Sequence, residues 1–585
     1  MEALATFSKL DEAAKNRIQT WMSDAYDPET RQTIATWIAN GQEDELVEAF
    51  YKELEFGTGG LRGIMGVGSN RINKYTIGAA TQGLSNYLLE AFPNEKIKVA
   101  IAHDSRNNSP EFAKVCANVF SANDIEVYFF EALRPTPELS FAVRHFGCKS
   151  GVVLTASHNP KEYNGYKAYW EDGAQVIPPH DKNIIQRVQQ IADASAIRFE
   201  GKPELIHTIG KEVDELYLEK IKELSVSPDA IARQKDLKIV FSALHGTGSV
   251  LVKPVLEKFG FTNVQLVQAQ NTPDGNFPTV IYPNPEEAEA MSMALNQAKE
   301  WDADLAMATD PDADRVGIAV KNNKGEWQLL NGNQTGSLLI FYMLQAWKDK
   351  GKLSGKEFIV KTIVTTDLIS KLAASYSVPC YNTLTGFKYI AARIRELEGQ
   401  ETFIAGGEES YGYLVGSNVR DKDAIAACAF IAEMAAYAKD KGASLFDWMM
   451  AMYIQHGFYK ERLISVTKKG KSGAEEIQEM MKTLRENPPA QLAGSPLAEM
   501  MDYKNSVSLN LITGVRTPIH QPVENTLQFR TVDGSLVSAR PSGTEPKIKF
   551  YFSVNGPLKD TASYDETAKV LDAKIDLLIK ELNLN

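Results

Sequence analysis

Gly151-Val-Val-Leu-Thr-Ala-Ser-His-Asn-Pro160 holds the boundary on which the reading turns. Its first half is a short apolar, β-branched run of the kind that fills a buried strand. Pro160 cannot extend that strand, so Ser157, His158 and Asn159 fall in a loop at its carboxyl end. In an open α/β sheet, ligands bind at the carboxyl ends of strands, and a Ser157 hydroxyl placed there can meet a substrate. Taken alone, the same hydroxyl could simply close a turn. Tyr163-Asn-Gly-Tyr-Lys167 follows at once and brings a cation close by.

Outward from this stretch, one pattern occurs three times: apolar strand, polar turn, amphipathic helix, strand. The first copy has a strand over 97–102, a turn over 103–109 and a helix from Pro110, with Phe112, Val115, Cys116, Val119 and Phe120 on one face. A strand over 125–130 completes it. Ser109 before Pro110 predicts an N-cap and first-turn pair. The second copy runs from 237–242 through the turn 245–248 and a helix closed by Gly260 to 264–267. The third runs from 358–364 through 365–367 and a helix to 378–384. Such repeats predict right-handed crossovers and three similar mixed α/β domains with mainly parallel sheets. Beyond about residue 455 the texture changes: 527–530, 536–540 and 547–554 alternate like antiparallel strands around an Asp533-Gly534 turn, and a helix over 565–582 closes the chain. The expected limits are a helical extension over 1–45, domains over 46–205, 206–322 and 323–455, and a C-terminal α+β domain over 456–585, arranged around a central cleft.

Composition narrows the function. The chain has 585 residues, 44% of them hydrophobic, which is too long for one core and apolar enough for several. A net charge of −12 argues against a broad nucleic-acid surface, so an anionic substrate needs a local positive pocket. The four cysteines are scattered with no CxxC pair, as reduced core thiols are, and this predicts a cytoplasmic protein. The first residues lack the apolar centre of a signal peptide. The most apolar helical run, 424–438, is broken by Glu433 and falls short of the ~20 residues a bilayer requires. No membrane partner is expected.

Four further segments carry chemistry. Asp310-Pro-Asp-Ala-Asp-Arg315 follows the apolar run 303–308 and sets three carboxylates at alternate positions, so that one tight loop can turn Asp310, Asp312 and Asp314 onto a hard cation with Arg315 beside them for an anion. Arg315 and Lys321 occupy the positions where an EF-hand needs Gly and Glu. The spacing suits Mg²⁺ with room for phosphate oxygens. A phosphatase with Asp310 as nucleophile is the other reading, and it leaves the Ser157 segment without a task. Phe56-Gly-Thr-Gly-Gly-Leu-Arg-Gly63 puts Arg62 where a dinucleotide fingerprint needs glycine, so a glycine-rich bend presenting Arg62 to phosphate fits better. Gly406-Gly-Glu-Glu-Ser-Tyr-Gly412 sets Glu408 and Ser410 two apart at a strand end, suited to sugar hydroxyls. Arg540-Pro-Ser-Gly-Thr-Glu-Pro546 gathers a guanidinium, two hydroxyls and a glycine: a phosphate cradle or a plain turn.

TASHNP, DPDADR, GEESYG and RPSGTEP, in this order and at domain-sized intervals, resemble the α-D-phosphohexomutases, closest to the phosphoglucomutase and phosphomannomutase group, over residues 50–555. The resemblance implies a four-domain enzyme with one segment from each domain lining the cleft. It implies a phosphoserine at Ser157, Mg²⁺ on Asp310, Asp312, Asp314 and a phosphoserine oxygen, sugar contacts from Glu408 and Ser410, and phosphate contacts from Arg540, Ser542, Gly543 and Thr544. Arg62 matches the arginine of GTSGLR-like segments, His158 the neighbour of the serine, and Lys167 the lysine of NGxK. Lys388 matches a TPTGWK-like segment, with Leu384 where Pro is usual.

The expected reaction is reversible phosphoryl movement between C1 and C6 of a hexose phosphate through a bound sugar bisphosphate. Glucose 1,6-bisphosphate would serve as intermediate and activator, and a small-molecule sugar phosphate is the only partner expected. Arg315 with the cation would neutralise the transferring group, and Lys167 with Arg62 would act as acid and base, which requires a lowered lysine pKa. GEESYG is nearer the GEESFG of glucose-specific members, against mannose or pentose preference. A metal-dependent sugar phosphatase and a non-catalytic sugar-phosphate sensor are the competing classes. Oligomeric state is left open.

Overall fold

The strand read from GVVL, Ser150–Leu154, is buried at every residue. It pairs in parallel with Lys98–His103 and antiparallel with Tyr163–Trp170. The computed structural model describes residues 4, 7–57, 60–468, 470–542 and 547–584. Val152 and Leu154 face one core with Val99 and Ile101, under helices Lys74–Ala91 and Ser109–Ala122. Val153 faces a second core with Ala100 and Ala102, under helix Thr136–His145. Both faces are covered, which is why this strand is a continuous apolar run.

The first sheet runs Gly60–Ile64, Tyr163–Trp170, Ser150–Leu154, Lys98–His103, Glu126–Phe130, Ile206–Ile209. The second runs Trp327–Leu330, Val316–Lys321, Leu305–Thr309, Ile239–Ser242, Val264–Leu266; the third runs Cys380–Thr383, Glu357–Thr362, Thr402–Glu408, Gly412–Val415. All three are mixed: parallel pairings outnumber antiparallel ones in the first and third and equal them in the second. They share one device: a strand with a parallel neighbour on one side turns back into an antiparallel neighbour on the other. The turns are 155–162, 310–315 and 409–411. Three of the five segments singled out for chemistry fall on these turns.

The fourth sheet is antiparallel. Phe458–Thr467, Lys547–Gly556, Leu536–Pro541, Leu527–Thr531 and Ser495–Asp502 pair in that order, and Val507–Asn510 and Arg516–Pro518 complete the path. Ile548, Phe550, Phe552 and Val554 form its buried face, and helix Tyr564–Glu581 buries Leu571, Ile575 and Leu578 in the same core. Helix Ala424–Asp440 is buried throughout 424–438. Its Glu433 is fully buried and accepts from the backbone N–H groups of Val226 and Ser227 and from Tyr342 Oη (2.9 Å), tying the second and third domains together. No helix among the described residues is long and apolar enough to cross a membrane.

Three expected limits need correction. Helix Glu43–Phe50 packs Leu46, Ala49 and Phe50 with Ile18, Trp21 and Ile34 of helices Glu12–Trp21 and Pro28–Ala39, so a limit at 45 cuts the extension's own core. Ile206–Ile209 belongs to the first sheet and Trp327–Leu330 to the second, so limits at 205 and 322 each drop an edge strand. These edges are only four residues long: Ile206-His-Thr-Ile209 has its two central residues exposed, and Trp327-Gln-Leu-Leu330 is too short to show a strand period. We therefore propose limits near 51, 210, 331 and 457. Ser109 is also not an N-cap. Asn108 takes that position with φ 64°, and the Ser109 hydroxyl donates instead to Asp104 (2.9 Å).

Candidate active site

Ser157 lies just past its strand, 3% exposed, in the left-handed region at φ 53°. That conformation is costly for a residue with a Cβ and persists only where the surroundings enforce it. Here the Ser157 N–H donates to Thr155 Oγ1 (2.8 Å) and its carbonyl accepts from Arg106 Nη2 (2.6 Å). The same device recurs in the other two turns, at Ala313 (φ 50°) and Tyr411 (φ 66°).

This geometry sends the Ser157 hydroxyl into the second domain. Ser157 Oγ donates to Asp310 Oδ2 (2.8 Å) and lies 3.2 Å from His158 Nδ1. Asp310 Oδ1 accepts from the backbone N–H groups of Asp314 (3.1 Å) and Arg315 (3.0 Å), which curls the loop around its first carboxylate. Lys167, on the strand antiparallel to the serine's own, donates to Asp312 Oδ2 (2.7 Å) and Asp314 Oδ2 (3.1 Å). Lys422 of the third domain adds 3.2 Å to Asp314 Oδ2, and Arg315 Nη1 donates to Glu286 Oε1 (2.8 Å).

Asp310, Asp312 and Asp314 are at most 2% exposed, with ligand oxygens within 4.8 Å of one another. Burial, then the charges of Asp312 and Asp314, hold the Asp310 carboxyl well above the usual range. Burial also pushes Asp314 up, but Lys167, Lys422 and Arg315 outweigh it and hold it below that range. Asp312 Oδ1 and Asp314 Oδ1 are buried without a hydrogen-bond partner. Three crowded, buried carboxylates, two of them with an oxygen that has no hydrogen-bond partner, fit a hard divalent cation. His158 is held well below its ordinary value by burial and then by Arg315 and Arg62, so its ring is neutral. The lowered pKa expected of Lys167 is not found. Burial does pull it down, but Asp312 and Asp314 more than offset this and leave it above the ordinary value.

A cleft of about 530 Å³ opens beside this centre, with His158, Arg315, Glu408, Ser410 and Arg540 among its lining, one or two from each domain. Glu408 Oε1 accepts from the backbone N–H of Gly386 (2.8 Å). Arg540 Nε donates to Glu524 Oε1 (2.6 Å), and Lys549 stands opposite it on the next strand. The Ser542 N–H donates to the carbonyl of Lys547 (2.7 Å) at the mouth of its turn. Gly543 and Thr544 lie outside the described residues. Arg62 and Lys388 are not brought into the lining. Arg62 Nη1 reaches Asn159 Oδ1 at 3.4 Å, and Lys388 Nζ lies 5.1 Å from the centre of the Tyr389 ring.

Sequence reasoning passed over Arg106, Thr136, Lys422, Glu524 and Lys549. Lys549 alternates out of an apolar face and so carried a signal, whereas Arg106 sits in a polar turn where an arginine reads as solvated. Nothing local marks Thr136, Lys422 or Glu524, whose partners come from other domains.

Family models for the α/β/α domains I, II and III of phosphoglucomutase/phosphomannomutase match residues 53–195, 215–325 and 331–453. A phosphoglucomutase of Staphylococcus epidermidis is 36% identical over 520 residues, covering 88% of this chain and 93% of its own. One of Staphylococcus aureus is 36% identical over 534 residues, covering 91% and 94%. Among solved structures, the open form of pp63/parafusin from Paramecium aligns with a TM-score of 0.67 at 18% identity, covering 91% of this chain and 96% of its own. A phosphoglucomutase/phosphomannomutase family protein of Burkholderia thailandensis aligns with a TM-score of 0.63 at 18% identity, covering 89% and 98%. Structures this distant in sequence speak to the fold; the sequence relatives, alike over nearly the whole length of both chains, show that this chain belongs to the phosphoglucomutase/phosphomannomutase family.

Proposed function

We propose that this chain is a phosphoglucomutase-type isomerase that moves a phosphoryl group reversibly between the C1 and C6 oxygens of glucose phosphate. The observation that carries the reading is Ser157 Oγ, 2.8 Å from Asp310 Oδ2 at a strand mouth whose next residue, His158, lines a cleft built from all four domains. A phosphorylated Ser157 donates to the free sugar hydroxyl: the Ser157 O–P bond breaks, the sugar O–P bond forms, the hydroxyl proton leaves to a basic group of the cleft, and the departing Ser157 Oγ takes up a proton from an acidic one. The bisphosphate turns over in place, and its other phosphoryl group returns to Ser157. Glucose 1,6-bisphosphate is then both intermediate and activator.

Asp310, Asp312 and Asp314 would hold Mg²⁺ together with a phosphoserine oxygen. The ion supplies charge neutralisation at the transferring group when bound. Arg315 adds positive charge from the side of the cleft, and neutral His158 stays next to Oγ without competing for it as an ion pair. Glu408 and Ser410 orient sugar hydroxyls, and Arg540 and Ser542, with Gly543 and Thr544, take the phosphate that is not reacting. Lys167 and Arg62 are proposed as acid and base, with Lys167, whose pKa is raised because Asp312 and Asp314 outweigh burial, in the acid's part. Lys388 is proposed as a further substrate contact reached on closure. The free cysteines, of which Cys116, Cys148 and Cys428 are buried, support a reducing, cytoplasmic setting.

The relatives named phosphoglucomutase favour glucose over mannose or pentose. A phosphatase or a sensor has no use for the second cationic group at Arg540 and Lys549. The deciding experiment offers glucose, mannose and ribose 1-phosphates with catalytic glucose 1,6-bisphosphate while free phosphate is measured. Glucose 6-phosphate forming fastest without phosphate release is expected. Phosphate release matching turnover would replace the mutase with a phosphatase.

A further inference from the structure

Thr136 touches the acidic loop twice. Its backbone N–H donates to the carbonyl oxygen of Asp312 (2.9 Å), and its Oγ1 donates to Asp312 Oδ2 (2.9 Å). Both residues are 0% exposed. Lys167 Nζ occupies the same Oδ2 at 2.7 Å, while Oδ1 of this carboxylate has no partner. One oxygen of Asp312 is thus engaged by two donors from the first domain, and the other is buried without a hydrogen-bond partner.

Thr136 is itself rigidly placed. It opens the ten-residue helix Thr136–His145 between Pro135 and Pro137, whose rings fix the backbone on either side. That helix lies directly on the strand leading to Ser157: a Cβ added at Gly151 would meet Val143 Cγ2 at 2.5 Å, so helix and strand are in close contact there. The hydroxyl of Thr136 is therefore held in the frame of the nucleophile, although the carboxylate it grips belongs to the next domain.

We propose that Thr136 is a positioning residue for the cation: with Lys167 it fixes Asp312 Oδ2 and so presents Oδ1, and it registers the acidic loop against Ser157. This rests on the reading of Asp310, Asp312 and Asp314 as cation ligands. Groups that orient a ligating carboxylate typically change metal affinity by about 10–100-fold when removed. The backbone contact survives any side-chain change, so substitutions isolate the hydroxyl.

The test is direct titration of Mn²⁺, as a paramagnetic stand-in for Mg²⁺, into the full-length protein and its Thr136→Val, Thr136→Ala and Thr136→Ser variants, with turnover measured in parallel. Val keeps the shape and loses the hydroxyl, Ala serves if Val does not fold, and Ser restores the hydroxyl. The Mn²⁺ dissociation constant should rise about 10–100-fold in Val and Ala and stay within about threefold in Ser. Unchanged binding in Val or Ala overturns the role of Thr136 alone. So does a loss in Ser equal to that in Val. Absence of Mn²⁺ binding by the unsubstituted protein overturns the cation reading, and this inference with it.

Discussion

The guanidinium of Arg106 ends 2.6 Å from the carbonyl oxygen of Ser157, so the loop bearing this serine is held through its backbone by a residue 51 positions earlier. Arg106 also donates to the carbonyls of Asn159, Pro160 (2.8 Å) and Tyr163 (3.0 Å). Asp104 lies 3.4 Å from its Nε with both side chains fully buried, and the Phe277 ring of the second domain covers it at 5.0 Å. The planar fork is what lets one side chain serve four carbonyls. Arg106→Met takes the guanidinium from those oxygens and leaves the buried Asp104 carboxylate without its countercharge, although the backbone N–H of residue 106 and the Ser109 hydroxyl still donate to it, at a cost of about 3–5 kcal/mol. Calorimetry should show a clearly lower Tm, and hydrogen exchange should speed up selectively over 155–165. Exchange there at the native rate would show that the loop stands without Arg106.

Ser157→Ala should lose turnover by about a thousandfold or more, as expected when a covalent nucleophile is removed. Peptide mapping of the unsubstituted protein after incubation with glucose 1,6-bisphosphate should find phosphate on Ser157. Its consistent absence there would take the nucleophile away from this loop.

Excess chelator should abolish activity, and Mg²⁺ should restore it. Asp312→Asn should fall by at least about 100-fold in kcat/KM while keeping its fold, because Asp312 offers the cluster an oxygen with no other partner. Full activity in chelator would remove the cation from the mechanism.

Much of this architecture is legible from local pattern. The buried runs at 97–102, 150–154, 237–242 and 357–362 are apolar because helices cover both sheet faces, and loops after such strands point to a cleft. Alternation at Ile548, Phe550, Phe552 and Val554 marks a one-sided sheet. The edge strands Ile206–Ile209 and Trp327–Leu330 are not legible, since four residues are too few to show an alternating period. Nor are Arg106, Thr136 and Lys422. An arginine in a turn reads as solvated, a threonine between prolines as a helix start, and a lysine in Arg420-Asp-Lys-Asp423 as a surface charge. Their partners lie tens to hundreds of residues away, and only the tertiary fold makes them buried donors.

Asp423 makes stability depend on pH. It is 2% exposed, accepts from the Ala426 N–H (2.8 Å) and Tyr217 Oη (2.7 Å), and burial pushes its carboxyl up to about 6. The native state then binds this proton more tightly than the unfolded chain. The resulting stabilisation is complete below the unfolded pKa of about 3.9 and is lost as pH rises through about 6. Asn can accept the same two bonds without ionising. Asp423→Asn should therefore be more stable than the natural chain by about 1–3 kcal/mol at pH 7.5, with the gap closing towards pH 4. A difference independent of pH would mean that Asp423 is ionised in the native protein throughout.

Arg540 tests whether the fourth domain takes part at all. Its Nε donates to Glu524 Oε1 at 2.6 Å, and Lys549 faces the same cleft from the neighbouring strand. Burial pulls the Arg540 guanidinium down and Glu524 more than restores it, whereas burial, Lys547 and Arg540 leave Lys549 below its ordinary value. Two cations share this wall, and an incoming phosphate would satisfy both while replacing Glu524 as the partner of Arg540. Energy from that remote contact can orient the sugar and close the cleft, so it should appear in kcat as well as in KM. Losing a charge-assisted contact of about 1.5–3 kcal/mol corresponds to about 10- to 150-fold in kcat/KM for Arg540→Ala. Phosphorylation of Ser157 by glucose 1,6-bisphosphate should still be detectable in this variant. Glu524→Gln, which weakens the tether and spares the cations, should lose less. Wild-type kinetics for Arg540→Ala, or identical hydrogen exchange over 536–550 with and without glucose 1-phosphate, would show that this strand pair only completes the sheet and that substrate is held by three domains.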